Sequence, residues 1–244
     1  MSVFDDPGHF GKLWASTYDN PSLPDPSQAV QFLAEVAGAG PVLELAIGTG
    51  RVALPLAARG IAVEGIEGAP EMVAVLRGKP GGDTIPVTVG DMADVPVEGP
   101  YSLVFLVFNT LFNLDKADRQ ADCFHNIARV LRPGGAFVVE AFVPDPAAFD
   151  RDEQVQMRSV TEDSASIRLH QYDRAAQRFV RQTITFDAGG VHLAPFAMRY
   201  LWPEQIDELA AAAGLHLEAR YADWTRSPYT TDSRNHISVY RTRE

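Results

Sequence analysis

From residue 41 onward, apolar residues come in short runs that alternate with stretches of helical spacing. Residues 41–47, 61–66, 85–89, 103–108 and 136–143 are apolar runs bounded by Gly, Pro, Asp or Asn. Runs of that length between turn residues predict strands buried on both faces. Residues 52–59, 70–77 and 116–131 repeat apolar positions three and four apart and predict helices. Pro55 falls in the first turns of the 52–59 helix, and Asp115 is placed to cap the 116–131 helix. An earlier helix begins at Asp25-Pro26-Ser27-Gln28, where Asp25 suits the N-cap and Pro26 the first helical position. Gly38 and Gly40 close it.

Buried strands alternating with helices predict a parallel sheet covered on both faces. After Pro144 the period becomes two: residues 156–161, 166–173, 179–186 and 191–201 alternate polar and apolar positions and predict a half-exposed antiparallel meander. A helix over 203–213, ended by Gly214, and strands over 215–221 and 236–240 complete the chain. Residues 1–24 show no period and are expected to be irregular, with Trp14 and Tyr18 in an arm or lid before Pro21 and Pro24.

Composition narrows the function. The 244 residues hold 21 Lys and Arg against 32 Asp and Glu, a net charge of −11, and such a surface repels a nucleic-acid backbone. The single Cys123 excludes an internal disulfide and fits a reducing compartment. No apolar stretch reaches the roughly 20 residues of a membrane span. The run from Tyr101 to Leu114 is broken by Ser102, Asn109, Thr110 and Asn113. The first twenty residues carry Asp5, Asp6 and Asp19 and lack an apolar core, so a cytoplasmic protein is expected. No metal-ligand spacing stands out among the scattered histidines, and no metal is expected.

The chemistry concentrates at Glu44-Leu45-Ala46-Ile47-Gly48-Thr49-Gly50, where a glycine turn lets backbone approach a ligand. Gly48-Thr49-Gly50-Arg51-Val52-Ala53 also fits a dinucleotide fingerprint, and Glu67 lies 19 residues beyond Gly48, so a nicotinamide cofactor competes. Glu44 discriminates, because a carboxylate ahead of the turn repels pyrophosphate and suits a cationic, phosphate-free nucleoside. Glu67 and Asp91 then fall at the tips of the second and third strands. There they accept from ribose hydroxyls and from an adenine amino group, with Met92 packing on the ring.

With these residues in place the chain resembles the class I S-adenosylmethionine-dependent methyltransferases, in their small-molecule branch of amino-sugar and natural-product N- and O-methyltransferases. The motifs are VLELAIGTGR, VEGIEGAPEMVAVLR, GDM and RVLRPGGAFVVE over residues 10–143, with MRYLWPEQIDELAAAAGL and ISVYR in the tail. The resemblance implies a doubly wound, mostly parallel seven-stranded α/β sheet with an inserted antiparallel layer. An arm or lid spans 1–24, the cofactor-binding core 25–150 and 203–244, and the acceptor-side layer 151–202. It implies S-adenosylmethionine held by Tyr18, Glu44, Ala46, Gly48, Gly50, Glu67, Asp91, Met92 and Phe108. The methyl would pass to nitrogen or oxygen of a small acceptor by in-line displacement.

The tip of the fourth strand brings Asn109 and Thr110 toward the acceptor. His170 or His192 would serve as base for a hydroxyl, with Asn109 beside them. Tyr172, Arg199, Tyr200, Trp224 and Tyr229 would wall the acceptor pocket. His9, His125 and His216 fit no pattern and read as structural. The Asn/Asp-Pro-Pro-aromatic sequence of base-amino methyltransferases is missing, which agrees with the charge in disfavouring a nucleic-acid acceptor. A homodimer is compatible with this reading. The chain departs from the family's pattern at Ala46, in place of a glycine and tolerable where φ is negative, and at Trp202 before Pro203. An NAD-dependent oxidoreductase and a non-catalytic S-adenosylmethionine-binding module stand as alternatives.

Overall fold

The computed structural model describes residues 2–20, 23–145 and 152–243. Pro21 and the expected boundary at 150/151 lie outside them.

The apolar runs form the centre of a seven-stranded sheet. Strands β1 (Val42–Leu45), β2 (Val63–Glu67), β3 (Val87–Val89), β4 (Tyr101–Leu106) and β5 (Leu131–Phe142) run parallel to one another. Strands β10 (His216–Tyr221) and β11 (Asn235–Arg241) add an antiparallel edge, giving the order β10-β11-β5-β4-β1-β2-β3. Every residue of β1 and β4 is buried, which is why their sequences are apolar on both faces.

Alternate residues feed two cores. Leu43, Leu45, Val104, Leu106 and Val139 pack with Phe124 and Ile127 of α5 (Ala117–Val130) and Ile206 of α6 (Pro203–Ala212). Val42, Leu103, Phe105 and Val138 pack with Phe32 and Leu33 of α2 (Ser27–Ala37) and Leu56 of α3 (Ala53–Ala57). The chain order reverses between β2 and β4 on either side of β1, and ligands bind outside the carboxyl ends of strands at such a reversal.

The meander forms a second sheet, β6 (Glu153–Val160), β7 (Ala165–Asp173), β8 (Arg178–Asp187) and β9 (Gly190–Arg199), each antiparallel to the next. Helix α4 (Pro70–Arg77) matches its expected bounds. Among the described residues no helix is long and apolar enough to cross a membrane.

Several expectations are corrected. The fourth strand ends at Leu106, because Phe108 and Asn109 take φ of 60° and 63° and turn the chain. Asp115 does not cap α5; both its bonds come from Arg178 Nε and Nη2, at 3.0 and 2.7 Å. Asp25 does accept from the Ser27 amide, at 3.2 Å. The N-terminal arm is not irregular: Val3–Asp5 is a 3-10 turn and His9–Trp14 is α1. Six residues are too few for periodicity to show. Gly11 lets α1 lie on α4, since a Cβ there would come within 2.2 Å of Ala69 Cβ. Phe10 and Trp14 of α1 then meet Phe196 of β9, both at 5.8 Å between ring centroids.

Candidate active site

These contacts close a cavity of about 630 Å³ over the carboxyl ends of the parallel strands. The N-terminal arm roofs it, and β8 and β9 form its far wall.

At one end lies the glycine loop. Gly48 has φ 58°, and a Cβ built there would meet nothing nearer than Ala46 O at 3.9 Å. Gly48 therefore leaves open space toward the cavity it lines. Glu67, at the tip of β2, is 7% exposed. Its Oε2 accepts from the Gly48 amide at 2.8 Å and its Oε1 from the Ala69 amide at 2.9 Å. Burial raises its carboxyl above the ordinary range, against the pull of those amides. Each oxygen keeps a lone pair for another donor.

Asp91 follows β3. Its Oδ1 accepts from the Ala93 amide at 2.8 Å and its Oδ2 pairs with Arg119 at 2.9 Å. Asp91 and Met92 line the cavity with Glu67. Glu44 does not reach it. Its carboxyl is buried behind the loop, bonded to the Ala53 amide, with Oε2 unpartnered, and burial holds it well above its usual range.

The arm is latched onto the loop. Asp19 accepts from Thr49 Oγ1 at 2.7 Å and pairs with Lys79 at 2.7 Å. Lys79 also donates to Thr49 O at 2.7 Å. The latch places Tyr18 at the cavity, its phenol shifted upward by burial. Ala46 lines the cavity with φ 52°, so the negative φ that would make a methyl tolerable there is not adopted. Left-handed backbone at a non-glycine residue costs roughly 1–2 kcal/mol. Gly50, with φ 80°, lies outside the lining; it makes room for Leu76, whose Cδ1 would sit 2.4 Å from a Cβ.

The tip of β4 carries Phe108, Asn109 and Thr110, all lining. Glu140 of β5 fixes it: Oε2 accepts from the Phe108 amide at 2.6 Å and Oε1 from Trp224 Nε1 at 3.0 Å. Asn109 Oδ1 accepts from the Phe142 amide at 2.6 Å, and Thr110 Oγ1 donates to Val107 O at 2.7 Å. Arg51 lies 4.8 Å over the Phe108 ring.

The end of the cavity away from the glycine loop is walled by Phe4, Phe142, Phe179, Arg181, Phe196 and Met198. Sequence reasoning missed these, together with His9, which lines the cavity with Nε2 2.9 Å from Pro195 O. Asn109 and Thr110 apart, the residues expected at the acceptor sit elsewhere. His170 Nδ1 bonds the Tyr172 hydroxyl at 2.8 Å out on β7. His192 is exposed and bonds Asp187 at 3.0 Å. Arg199 donates to Gln120 Oε1 at 2.5 Å, Tyr200 is buried in the core, and Trp224 packs on Phe32 at 5.4 Å. Tyr229 lies 5.5 Å from the Arg220 guanidinium.

The polar groups at the strand ends are carboxylates and a glycine-loop amide. The carboxylates of Glu67 and Asp91 in that set suit hydroxyl and amine donors such as those of a nucleoside.

Comparison with known proteins agrees. Residues 42–135 match the methyltransferase domain family. A cypemycin N-terminal methyltransferase from Streptomyces sp is 28% identical over 202 residues, 81% of each chain. The solved CcbJ methyltransferase from Streptomyces caelestis is 33% identical, covers 100% of this chain and 99% of its own, and superposes with a TM-score of 0.85. The amino pentose methyltransferase CalS10 from Micromonospora echinaspora, solved with S-adenosylmethionine bound, shares the fold at TM-score 0.67 and 22% identity, over 94% and 97% of the two chains. Fold, loop, strand-end acids and relatives agree: the chain belongs to the class I S-adenosylmethionine-dependent methyltransferases.

Proposed function

We propose that the protein methylates an amine nitrogen of a small natural-product acceptor held between the β4 tip and the wall of β8 and β9. S-adenosylmethionine, when bound, supplies a methyl group already activated by a sulfonium. Glu67 would hold the ribose hydroxyls and Asp91 with Met92 the adenine, while Tyr18 and Phe108 close over the methionine end. Ala46 and Gly48 would face it with backbone. Glu44, buried behind the loop, makes no direct contact with it.

For a displacement in line, the protein's work is alignment and exclusion of water. The latched arm and the aromatic wall supply both, and Asn109 and Thr110 orient the acceptor. The observation that carries the nitrogen assignment is the placement of His170 and His192 away from the cavity. An amine entering in its neutral form needs no strong base, whereas a hydroxyl does. Among the described residues His9 is the histidine lining the cavity, and its Nε2 is engaged by Pro195 O. Relatives named as acting on nitrogen, the cypemycin enzyme and the sugar N-methyltransferase KedS8, support the same reading.

The test is a panel of small acceptors in matched amine and hydroxyl pairs, with transfer of labelled methyl followed by mass spectrometry. Label is expected on amines and not on their hydroxyl partners; preferential labelling of the hydroxyls would refute the assignment.

A further inference from the structure

The strand-end acids and the glycine loop leave one feature of the antiparallel sheet unexplained. Arg168 and His170 lie two residues apart on β7 and therefore share a face. Arg181 of β8 sits directly opposite His170, and Phe196 of β9 directly opposite Arg181. Arg158 of β6 stands close enough to disfavour charge on all three. Arg181 and Phe196 line the cavity, so this group borders its acceptor end.

Among the described residues the group has no counter-charge. Arg168 Nε, Arg181 Nε and His170 Nε2 are buried without a hydrogen-bond partner. Among the described residues no carboxylate pairs with Arg158, Arg168 or Arg181, although Arg119, Arg178 and Arg220 each find one. In a chain of net charge −11, such isolation is a matter of arrangement, not of scarce acids. Burial, then repulsion from Arg168 and Arg158, pushes Arg181 down to about 10. Its guanidinium carbon stands 4.5 Å over the Phe196 ring. A planar fork held in this way matches the geometry of a carboxylate or a phosphate.

We propose that Arg181, with Arg168 beside it, forms an anion subsite that receives a carboxylate or phosphate carried by the acceptor. The inference rests on the methyl-transfer reading and deepens it: the substrate is an amine that also bears an anionic group.

Calorimetric titration of the full chain with sodium acetate and, separately, inorganic phosphate tests this at low salt, with and without S-adenosylhomocysteine. Saturable one-to-one binding of at least one anion is expected, weakened at least about tenfold in Arg168→Gln and in Arg181→Gln, as loss of a charge-assisted hydrogen bond implies. Acetate binding without phosphate binding assigns a carboxylate, and the converse a phosphate. Melting curves of the same variants separate misfolding from lost binding. With like-charge repulsion relieved, each is expected to melt no lower than wild type and to lose the upward shift the anion gives. No saturable binding of either anion, or binding unchanged in both variants, overturns the subsite. Failure of S-adenosylhomocysteine to bind would instead overturn the methyl-transfer reading.

Discussion

His236 should give this protein an acid-sensitive core. It lies on β11, 0% exposed, with Nδ1 2.9 Å from Ser238 Oγ and Nε2 unpartnered. Burial, and then the Arg220 charge, lowers its pKa from 6.5 to about 3. The folded protein thus holds the ring neutral where the unfolded chain protonates it. The resulting stability is fully present above pH 6.5 and is lost as the pH falls from there toward 3. At pH 5.0 the unfolded chain has a 1.5-unit advantage, which at 1.36 kcal/mol per unit is about 2 kcal/mol. His236→Asn keeps a partner for Ser238 and removes the titration. Urea unfolding at pH 7.5 and 5.0 measures the free energy of each protein. The drop between the two pH values is expected to be about 2 kcal/mol larger in wild type than in the variant, whatever the cost of the substitution itself. Equal drops would refute a buried neutral histidine. The comparison between proteins is needed because the many carboxylates titrate in both.

Two further substitutions probe the cofactor end. Asp19→Ala removes the partner of Thr49 and Lys79. At so exposed an ion pair the loss is about 1 kcal/mol, seen as roughly fivefold weaker S-adenosylhomocysteine binding with little change in melting temperature; unchanged affinity would show that the arm does not close the site. Gly48→Ala forces a methyl into left-handed backbone at φ 58° and toward the cavity. Melting should fall by about 2–4 °C for each kcal/mol of the roughly 1–2 lost, with weaker S-adenosylhomocysteine binding. A variant that keeps wild-type stability and affinity would contradict that loop geometry.

The alternation of buried strands and helices was legible because each parallel strand is apolar on both faces. The positions of Glu67 and Asp91 followed from it, since topology alone sends strand ends to one crevice. Glu44 is a limit of that reasoning: it belongs to β1, yet its carboxyl is sealed behind the loop by the Ala53 amide. Asp115 had the local pattern of a cap, and a partner on β8 won the competition. At Ala46 the sign of a positive φ is the glycine of the family's pattern, which the alanine conceals.

The acceptor wall was the least legible part. His9 meets Pro195 across 186 residues, and Arg181 reaches the cavity because the second sheet docks against the arm. Strand alternation puts His170 and Tyr172 on one face, where Nδ1 and the hydroxyl meet. It does not say which end of that face meets the cavity.

The most direct measurement is calorimetric titration of wild type and Glu67→Ala with S-adenosylhomocysteine, and of wild type with NAD. One-to-one binding of S-adenosylhomocysteine to wild type is expected, weakened by about 1–3 kcal/mol in Glu67→Ala as ribose hydroxyls lose their acceptor, with no saturable binding of NAD. Equal affinity of the two proteins for S-adenosylhomocysteine, or tighter binding of NAD, would contradict the placement of a phosphate-free nucleoside on Glu67.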